Sequence, residues 1–202
     1  MKNFLQVVIR LFIYALILLA DYFIIYIDIL NRKVKEDSAI EIAQESYLFI
    51  ISVLLFYQAF KTAKYKSLML VLGLFFSMHF VREFDFFLDK IFDGLWQIIA
   101  FSMLAVAIYI FVKSRKTIID QVGKLKDNIA IGLFLIGLTL LHVFSRLWGK
   151  SDNWKTLLQE KYMRVFKDLS EEGIELVAYS IVFIATVELL LTLKRLNKQD
   201  GE

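Results

Sequence analysis

The sequence contains neither cysteine nor proline. The lack of cysteine excludes disulfide bonds, thiolate nucleophiles and thiolate metal ligands. Without proline, a bend in a long helix requires a glycine or a local change of hydrogen bonding. Charged residues are also few, at 22% of the 202 residues, whereas 58% are hydrophobic and 15% aromatic. The composition therefore favours a chain with extensive apolar surface.

Several stretches are apolar on all sides for about 20 residues, which is the length needed to cross the hydrocarbon core of a bilayer. A soluble helix would instead alternate apolar and polar faces. We therefore expect an all-α, polytopic transmembrane bundle that forms a single integral membrane domain over residues 1–202. The six predicted spans are residues 4–30, 39–60, 67–87, 95–112, 129–147 and 171–193.

Lysine and arginine are biased to one side of this topology. The N-terminus, the connections after spans two and four, and the C-terminal tail hold thirteen of the 24 basic residues but only four of the 21 acidic ones. The positive-inside rule therefore predicts that both termini face the cytoplasm. We expect a bacterial inner membrane protein whose environment is the lipid bilayer and which does not bind nucleic acid.

The connection between spans five and six has helical periodicity. Apolar residues recur at helical spacing in SDNWKTLLQEKYMRVFKDL, and basic residues occupy other positions. The pattern predicts an amphipathic helix over residues 153–169. It suits either a helix in the outer membrane interface or an ordinary surface helix on the end of the bundle.

Ionisable residues recur within the outer third of the predicted spans. Because such groups are costly in lipid, they normally face the bundle interior, a partner charge or water. We therefore predict a buried cluster near the outer face, in which Arg82 and Arg146 bridge carboxylates from neighbouring helices. Its members are Asp21, Glu45, His79, Arg82, Glu83, Asp85, His142, Arg146, Glu172 and Glu175.

Other acidic residues have simpler explanations. Ser38 and Glu41 match a capping box at the start of the second span. Glu171 suits a helix N-terminus, where negative charge meets the positive end of the helix dipole. The predicted cluster itself is consistent with a functional site or with a salt-bridge network that only orients helices.

The cluster supports several hypotheses about function. Carboxylates beside histidine can exchange protons or small cations, because burial and neighbouring charges change their protonation. Alternatively, His79, His142, Glu45 and Glu175 could bind zinc in an intramembrane hydrolase acting on a lipid-like substrate. The two histidines could instead hold a haem. A further alternative is a non-catalytic sensing or partner-binding subunit, so the sequence does not decide whether the protein is an enzyme.

Two short motifs carry a resemblance to a known group of proteins. R-E-F-D at 82–85 and E-E-G-I-E at 171–175 resemble a pattern in bacterial inner-membrane proteins of this size that have no known activity. The resemblance implies a six-helix fold in which these acidic residues are grouped. It implies no reaction and no ligand.

Overall fold

The computed structural model describes residues 2–31 and 38–199, and within these ranges the chain is helical apart from short connections, with no strand. The all-α prediction is therefore confirmed. The helices are α1 (Lys2–Asn31), α2 (Ala39–Lys61), α3 (Lys66–Glu83), α4 (Asp85–Asp89), α5 (Leu95–Leu125), α6 (Ile129–Trp148), α7 (Ser151–Leu158) and α8 (Arg164–Gln199).

Among the described residues, five helices are long and apolar enough to cross a membrane, namely α1, α2, α5, α6 and α8. Their most apolar segments have a mean hydropathy between 1.6 and 2.2. The third predicted span, residues 67–87, is not among them. It corresponds to α3, which ends at Glu83 and carries Lys66, Arg82 and Glu83 within only 18 residues. The prediction of six spans is thus not confirmed.

The helices differ sharply in how much of their surface is buried. In the most apolar segment of α8, 61% of the residues are buried, whereas the figure is 6% in α1 and in α5. Both α1 and α5 carry many exposed large apolar side chains, such as Phe12 and Phe101. Apolar surface on this scale requires a cover of lipid or protein.

The chain divides into two compact units, and the first consists of the chain up to Gln44 together with Ile136–Ile184. In this unit α6 and α8 approach closely at Gly137, where a Cβ atom would lie 2.7 Å from Val182 Cγ2 and 3.2 Å from the Ala178 carbonyl oxygen. Small residues permit such close packing of membrane helices. Ile25 of α1 packs near Gly173 of α8, which joins α1 to the same unit.

The second unit consists of Glu45–Leu135 and the chain from Ala185 onward. The Phe56 ring of α2 lies 3.0 Å from the position that a Cβ atom would take at Gly73 of α3. The side chain of Asn128, just before α6, donates a hydrogen bond to Thr192 Oγ1 in the C-terminal part of α8 over 2.9 Å. The prediction of one integral membrane domain stays a prediction.

Two helices differ from their predicted bounds. The fourth span was expected over residues 95–112, but α5 continues to Leu125 through a kink at Ser114. The Ser67 hydroxyl lies 3.1 Å from Ser114 Oγ at this kink. The chain that follows residue 112 is therefore helical, although its basic residues had indicated a connection.

The amphipathic helix predicted over residues 153–169 is interrupted. α7 ends at Leu158, and a 3₁₀ turn at Gln159–Lys161 separates it from α8. Gln159 has a positive φ of 48°, which ends α7 without a glycine. As a result, residues 164–169 belong to the first turns of α8, which begins seven residues earlier than the predicted sixth span.

Candidate functional site

In the first unit, the last turn of α6 meets the first half of α8 in a group of four charged side chains and one hydroxyl. We name this group the arginine–carboxylate cluster, and it consists of Ser145, Arg146, Lys167, Glu171 and Glu175. Arg146 Nη1 lies 3.0 Å from Glu171 Oε1, and Nη2 lies 3.1 Å from Glu175 Oε1. The two glutamates are one turn apart on α8, so a single planar guanidinium reaches both.

Burial differs strongly across the cluster. The side chains of Glu175 and Glu171 are only 3% and 9% exposed, whereas that of Arg146 is 48% exposed. The guanidinium thus extends from the surface of the unit to two buried carboxylates. Burial disfavours an ionised carboxylate unless a cation or a hydrogen-bond donor compensates.

Ser145 connects Glu175 to the backbone of α6. Its Oγ lies 2.6 Å from the Leu141 carbonyl oxygen and 3.1 Å from Glu175 Oε1. These atoms adjoin a π-helical turn at Leu140–Phe144 within α6. Such turns are rare and are frequent at functional sites. The single Ser145 hydroxyl proton therefore has two acceptors within reach.

Glu171 pairs with a second cation and lies close to the backbone of a glycine. Lys167 Nζ forms an ion pair with Glu171 Oε2, one turn along α8. A Cβ atom at Gly149 would overlap the Glu171 carboxyl group, so only glycine permits this approach. The interpretation of Glu171 as a helix N-terminal residue is wrong, because α8 begins at Arg164 and Glu171 lies two turns inside it.

Other predicted members of the charged group also lie in the first unit. Glu172 accepts a hydrogen bond at Oε2 from Gln44 Nε2 over 3.2 Å, and the same Nε2 donates to the Glu172 carbonyl oxygen over 3.0 Å. Asp21 of α1 is fully buried, whereas His142 lies in the π-helical turn with an exposed side chain. Gln44 was not predicted.

The second unit holds the other predicted residues. His79 is buried, and its Nδ1 lies 3.0 Å from the Phe75 carbonyl oxygen. Arg82 forms an ion pair with the adjacent Glu83 over 2.5 Å. Glu45 lies close enough to Glu83 for their charges to interact.

Asp85 belongs to α4, outside the five membrane-length helices. Burial raises the pKa of the Asp85 carboxyl above its ordinary value of 3.8, and the negative charges of Asp89 and Glu83 act in the same direction. A hydrogen bond from the Phe86 backbone and the charge of Arg82 act in the opposite direction. The net effect is a pKa above the ordinary value of the Asp85 carboxyl.

The predicted cluster is therefore shared between the two units. Glu45, His79, Arg82, Glu83 and Asp85 lie in the second unit, and the other five predicted residues lie in the first. That all ten form one charged layer stays a prediction. The contacts of Ser145 and Lys167 were missed, because neither residue stands out in the sequence as an ionisable group inside an apolar run.

Within residues 2–31 and 38–199, no group of three or more His, Asp or Glu side chains is arranged to hold a metal ion. These ranges include the four predicted zinc ligands, His79, His142, Glu45 and Glu175. The metal-dependent hydrolase and the haem protein stay predictions.

Comparison with protein-family models, with curated proteins and with solved structures finds no match. In the arginine–carboxylate cluster, one arginine and one lysine pair with two buried glutamates.

Proposed function

We propose that this protein is a multi-pass membrane protein that conducts protons across the bilayer, with Glu175 of the arginine–carboxylate cluster taking them up and releasing them. One observation carries the proposal: the buried Glu175 Oε1 lies 3.1 Å from both Arg146 Nη2 and Ser145 Oγ. Five membrane-length apolar helices support the membrane location. The proposal concerns proton exchange in preference to small-cation binding, because the carboxylate already faces a guanidinium.

The contacts of Glu175 suit both of its protonation states. When the carboxylate is ionised, it accepts hydrogen bonds from Arg146 and from the Ser145 hydroxyl. When it is protonated, it can donate to Ser145 Oγ, and the hydroxyl proton of Ser145 then turns to the Leu141 carbonyl oxygen, 2.6 Å away. Neither state leaves a buried donor without an acceptor. A residue that exchanges protons must have protonated and ionised states that differ little in free energy.

Glu171 is less suited to this role than Glu175. It faces two cations, Arg146 and Lys167, which both stabilise its ionised form. We assign Glu171 to positioning, since it shares Arg146 with Glu175 and fixes the guanidinium between them. Arg146 in turn provides the exposed side of the cluster, where water can reach it.

Proton flux into liposomes tests the proposal. Purified protein is reconstituted with an internal pH dye and a potassium gradient, and flux is started with valinomycin. We expect Glu175→Gln to reduce flux to the level of empty liposomes and Ser145→Ala to lower it, while the exposed Glu160→Gln changes nothing. Circular dichroism and gel filtration establish that each variant is folded.

The opposite outcome is equally informative. If folded Glu175→Gln conducts like the wild type, or if the wild type conducts no protons, the proposal is wrong. The cluster then serves only to join α6 to α8 as a buried salt-bridge network.

A further inference from the structure

A groove in the second unit lies between the C-terminal parts of α2 and α8 and has a volume of about 550 Å³. This is within the range of about 300–1,000 Å³ that is common for small-ligand sites. Residues from each helix recur at helical spacing, so each helix presents one face to the groove. The lining residues are Leu54, Tyr57, Gln58, Lys61, Thr62, Val187, Leu190, Leu191, Lys194 and Asn197.

The groove has an apolar part and a polar part. Leu54, Val187, Leu190 and Leu191 form the apolar part, toward the middle of the two helices. The polar residues come later in both helices, near their ends. Val187 and Lys194 are seven residues apart, which corresponds to about 10 Å along a helix. The two parts are thus stacked along the direction in which the helices would cross a membrane.

The polar part is rich in hydrogen-bond donors. Thr62 Oγ1 accepts hydrogen bonds from Gln58 Nε2 over 2.9 Å and from Asn197 Nδ2 over 3.5 Å. Because its oxygen accepts both, the Thr62 hydroxyl proton is directed to a further acceptor. The arrangement of these side chains favours a ligand that carries several acceptor oxygens.

The charge of the groove is positive. Lys61 and Lys194 line it, and neither forms an ion pair with an acidic residue in the described part of the chain. Lys61 Nζ instead lies 3.4 Å from the Tyr57 hydroxyl and 5.2 Å from the centre of its ring. Glu188, six residues before Lys194, is buried and does not line the groove.

We infer that this groove binds an anionic phospholipid of the surrounding bilayer. The phosphate would be bound by Lys61, Lys194 and Thr62, and one acyl chain would lie along Leu54 and Leu190. Basic pockets between membrane helices recognise anionic headgroups in this way. The inference rests on the membrane location proposed above, but not on proton exchange at Glu175.

Lipid titration of the full-length protein in detergent tests the inference. Phosphatidylglycerol and phosphatidylcholine with identical acyl chains are compared, and bound lipid is counted by native mass spectrometry. We expect the wild type to prefer phosphatidylglycerol. Lys61→Gln/Lys194→Gln should weaken phosphatidylglycerol binding by about tenfold and weaken phosphatidylcholine binding less, because phosphatidylcholine carries no net negative charge.

A matched control separates this site from general attraction to basic protein. Lys113→Gln/Lys116→Gln removes the same charge from two exposed lysines of α5 and should leave binding unchanged. Leu191→Trp keeps both lysines but fills the groove from its exposed edge, and it should weaken phosphatidylglycerol binding. This variant also tests the groove if the double lysine variant does not fold.

Three results would overturn the inference. The first is equal loss of binding in the two double lysine variants, which would indicate diffuse electrostatic attraction. The second is competition by soluble glycerol phosphate at the concentrations at which the lipid binds, which would indicate a small-anion site. The third is unchanged binding in Leu191→Trp. Proton flux through Glu175 is measured separately, so failure of either proposal leaves the other testable.

Discussion

Asp28 of α1 accepts a hydrogen bond at Oδ2 from the backbone N–H of Ile40 in α2, over 2.8 Å. Its other oxygen, Oδ1, accepts the N–H of Ala39 over 3.0 Å. A side chain from a different helix therefore caps the first turn of α2, where backbone N–H groups have no partner within the helix. The carboxylate is buried, so these contacts are protected from water.

Removing this cap should destabilise the first unit. We expect Asp28→Ala to lower the free energy of unfolding by about 1–3 kcal/mol, because two backbone N–H groups, one buried and one partly buried, lose a charged acceptor. Asp28→Asn keeps one acceptor oxygen and should cost less. Thermal unfolding in detergent, followed by far-UV circular dichroism, measures the change.

Asp120→Ala is the matched control for Asp28. Asp120 is 61% exposed and pairs with Lys124 on the surface of α5. Its removal should change the free energy of unfolding by no more than about 0.5 kcal/mol. A similar loss of stability in both variants would contradict the assigned role of Asp28.

The close approach of Gly149 to Glu171 provides a second prediction. Gly149 has φ −70° and ψ 1°, which alanine can adopt, so the backbone does not require glycine. The added Cβ atom would instead displace the Glu171 carboxyl group from Arg146. We expect Gly149→Ala to lower the free energy of unfolding by about 1–2 kcal/mol.

A double-mutant cycle checks the cause of this loss. In a Glu171→Ala background there is no carboxyl group to displace, so Gly149→Ala should have little further effect. Gly132→Ala is the control within α6, because no atom lies within 4 Å of its added Cβ. There the higher helix propensity of alanine should leave stability unchanged or raised by about 1 kcal/mol. Equal losses at Gly149 in both backgrounds would contradict the steric explanation.

The helix starts illustrate what the sequence could and could not predict. Uniformly apolar runs correctly indicated α-helices, because a chain without polar faces must satisfy its backbone hydrogen bonds internally. The N-cap role of Ser38 was also predicted from the sequence, and Ser38 Oγ accepts the N–H of Glu41 over 3.3 Å. Both signals are local. They depend only on residues within a few positions of each other.

The start of α8 and the π-helical turn in α6 could not be predicted from such local signals. α7 ends at Leu158, and the next residue, Gln159, adopts a positive φ with neither glycine nor proline beside it. The turn at Leu140–Phe144 likewise lies in a continuous apolar run. Ser145 contacts Glu175 and Lys167 contacts Glu171, and these contacts were missed although Arg146 and Glu175 were predicted. Tertiary packing decides such positions, and local propensity does not.

Arg146 is expected to be the most sensitive residue of the cluster. Arg146→Met leaves Glu175 buried without its cation, and we expect a loss of about 2 kcal/mol in the free energy of unfolding. This is less than the roughly 3–5 kcal/mol typical of a fully buried pair, because Arg146 is half-exposed and Lys167 still pairs with Glu171. Arg146→Lys should recover only part of the lost stability, because a lysine has one ammonium nitrogen where the guanidinium directs a separate nitrogen to each carboxylate.

Chemical denaturation of the single and double variants measures this effect. Adding Glu175→Gln to Arg146→Met should restore stability, because the buried charge is then removed with its partner. Arg164→Met serves as the control, since Arg164 is 84% exposed and pairs with Asp168 one turn away. It should cost no more than about 0.5 kcal/mol. If the double variant is no more stable than Arg146→Met alone, uncompensated charge is not the cause.

The raised pKa of Asp85 gives a prediction about pH. Because the folded state holds this proton more tightly than the unfolded state, ionisation of Asp85 opposes folding. The penalty is absent below the ordinary pKa of 3.8 and develops as pH rises through the higher folded value. Asp85→Asn should therefore raise the free energy of unfolding at pH 7 by less than about 1 kcal/mol, which is measured as a higher midpoint of thermal unfolding. Near pH 3.5 the same substitution should not change the midpoint. Asp89→Ala should lower the midpoint of thermal unfolding at pH 7, because it removes the hydrogen bond that Asp89 Oδ1 accepts from the Gly94 backbone N–H over 3.0 Å. A stabilising effect of Asp85→Asn that is equally large at both pH values would show that charge is not its source.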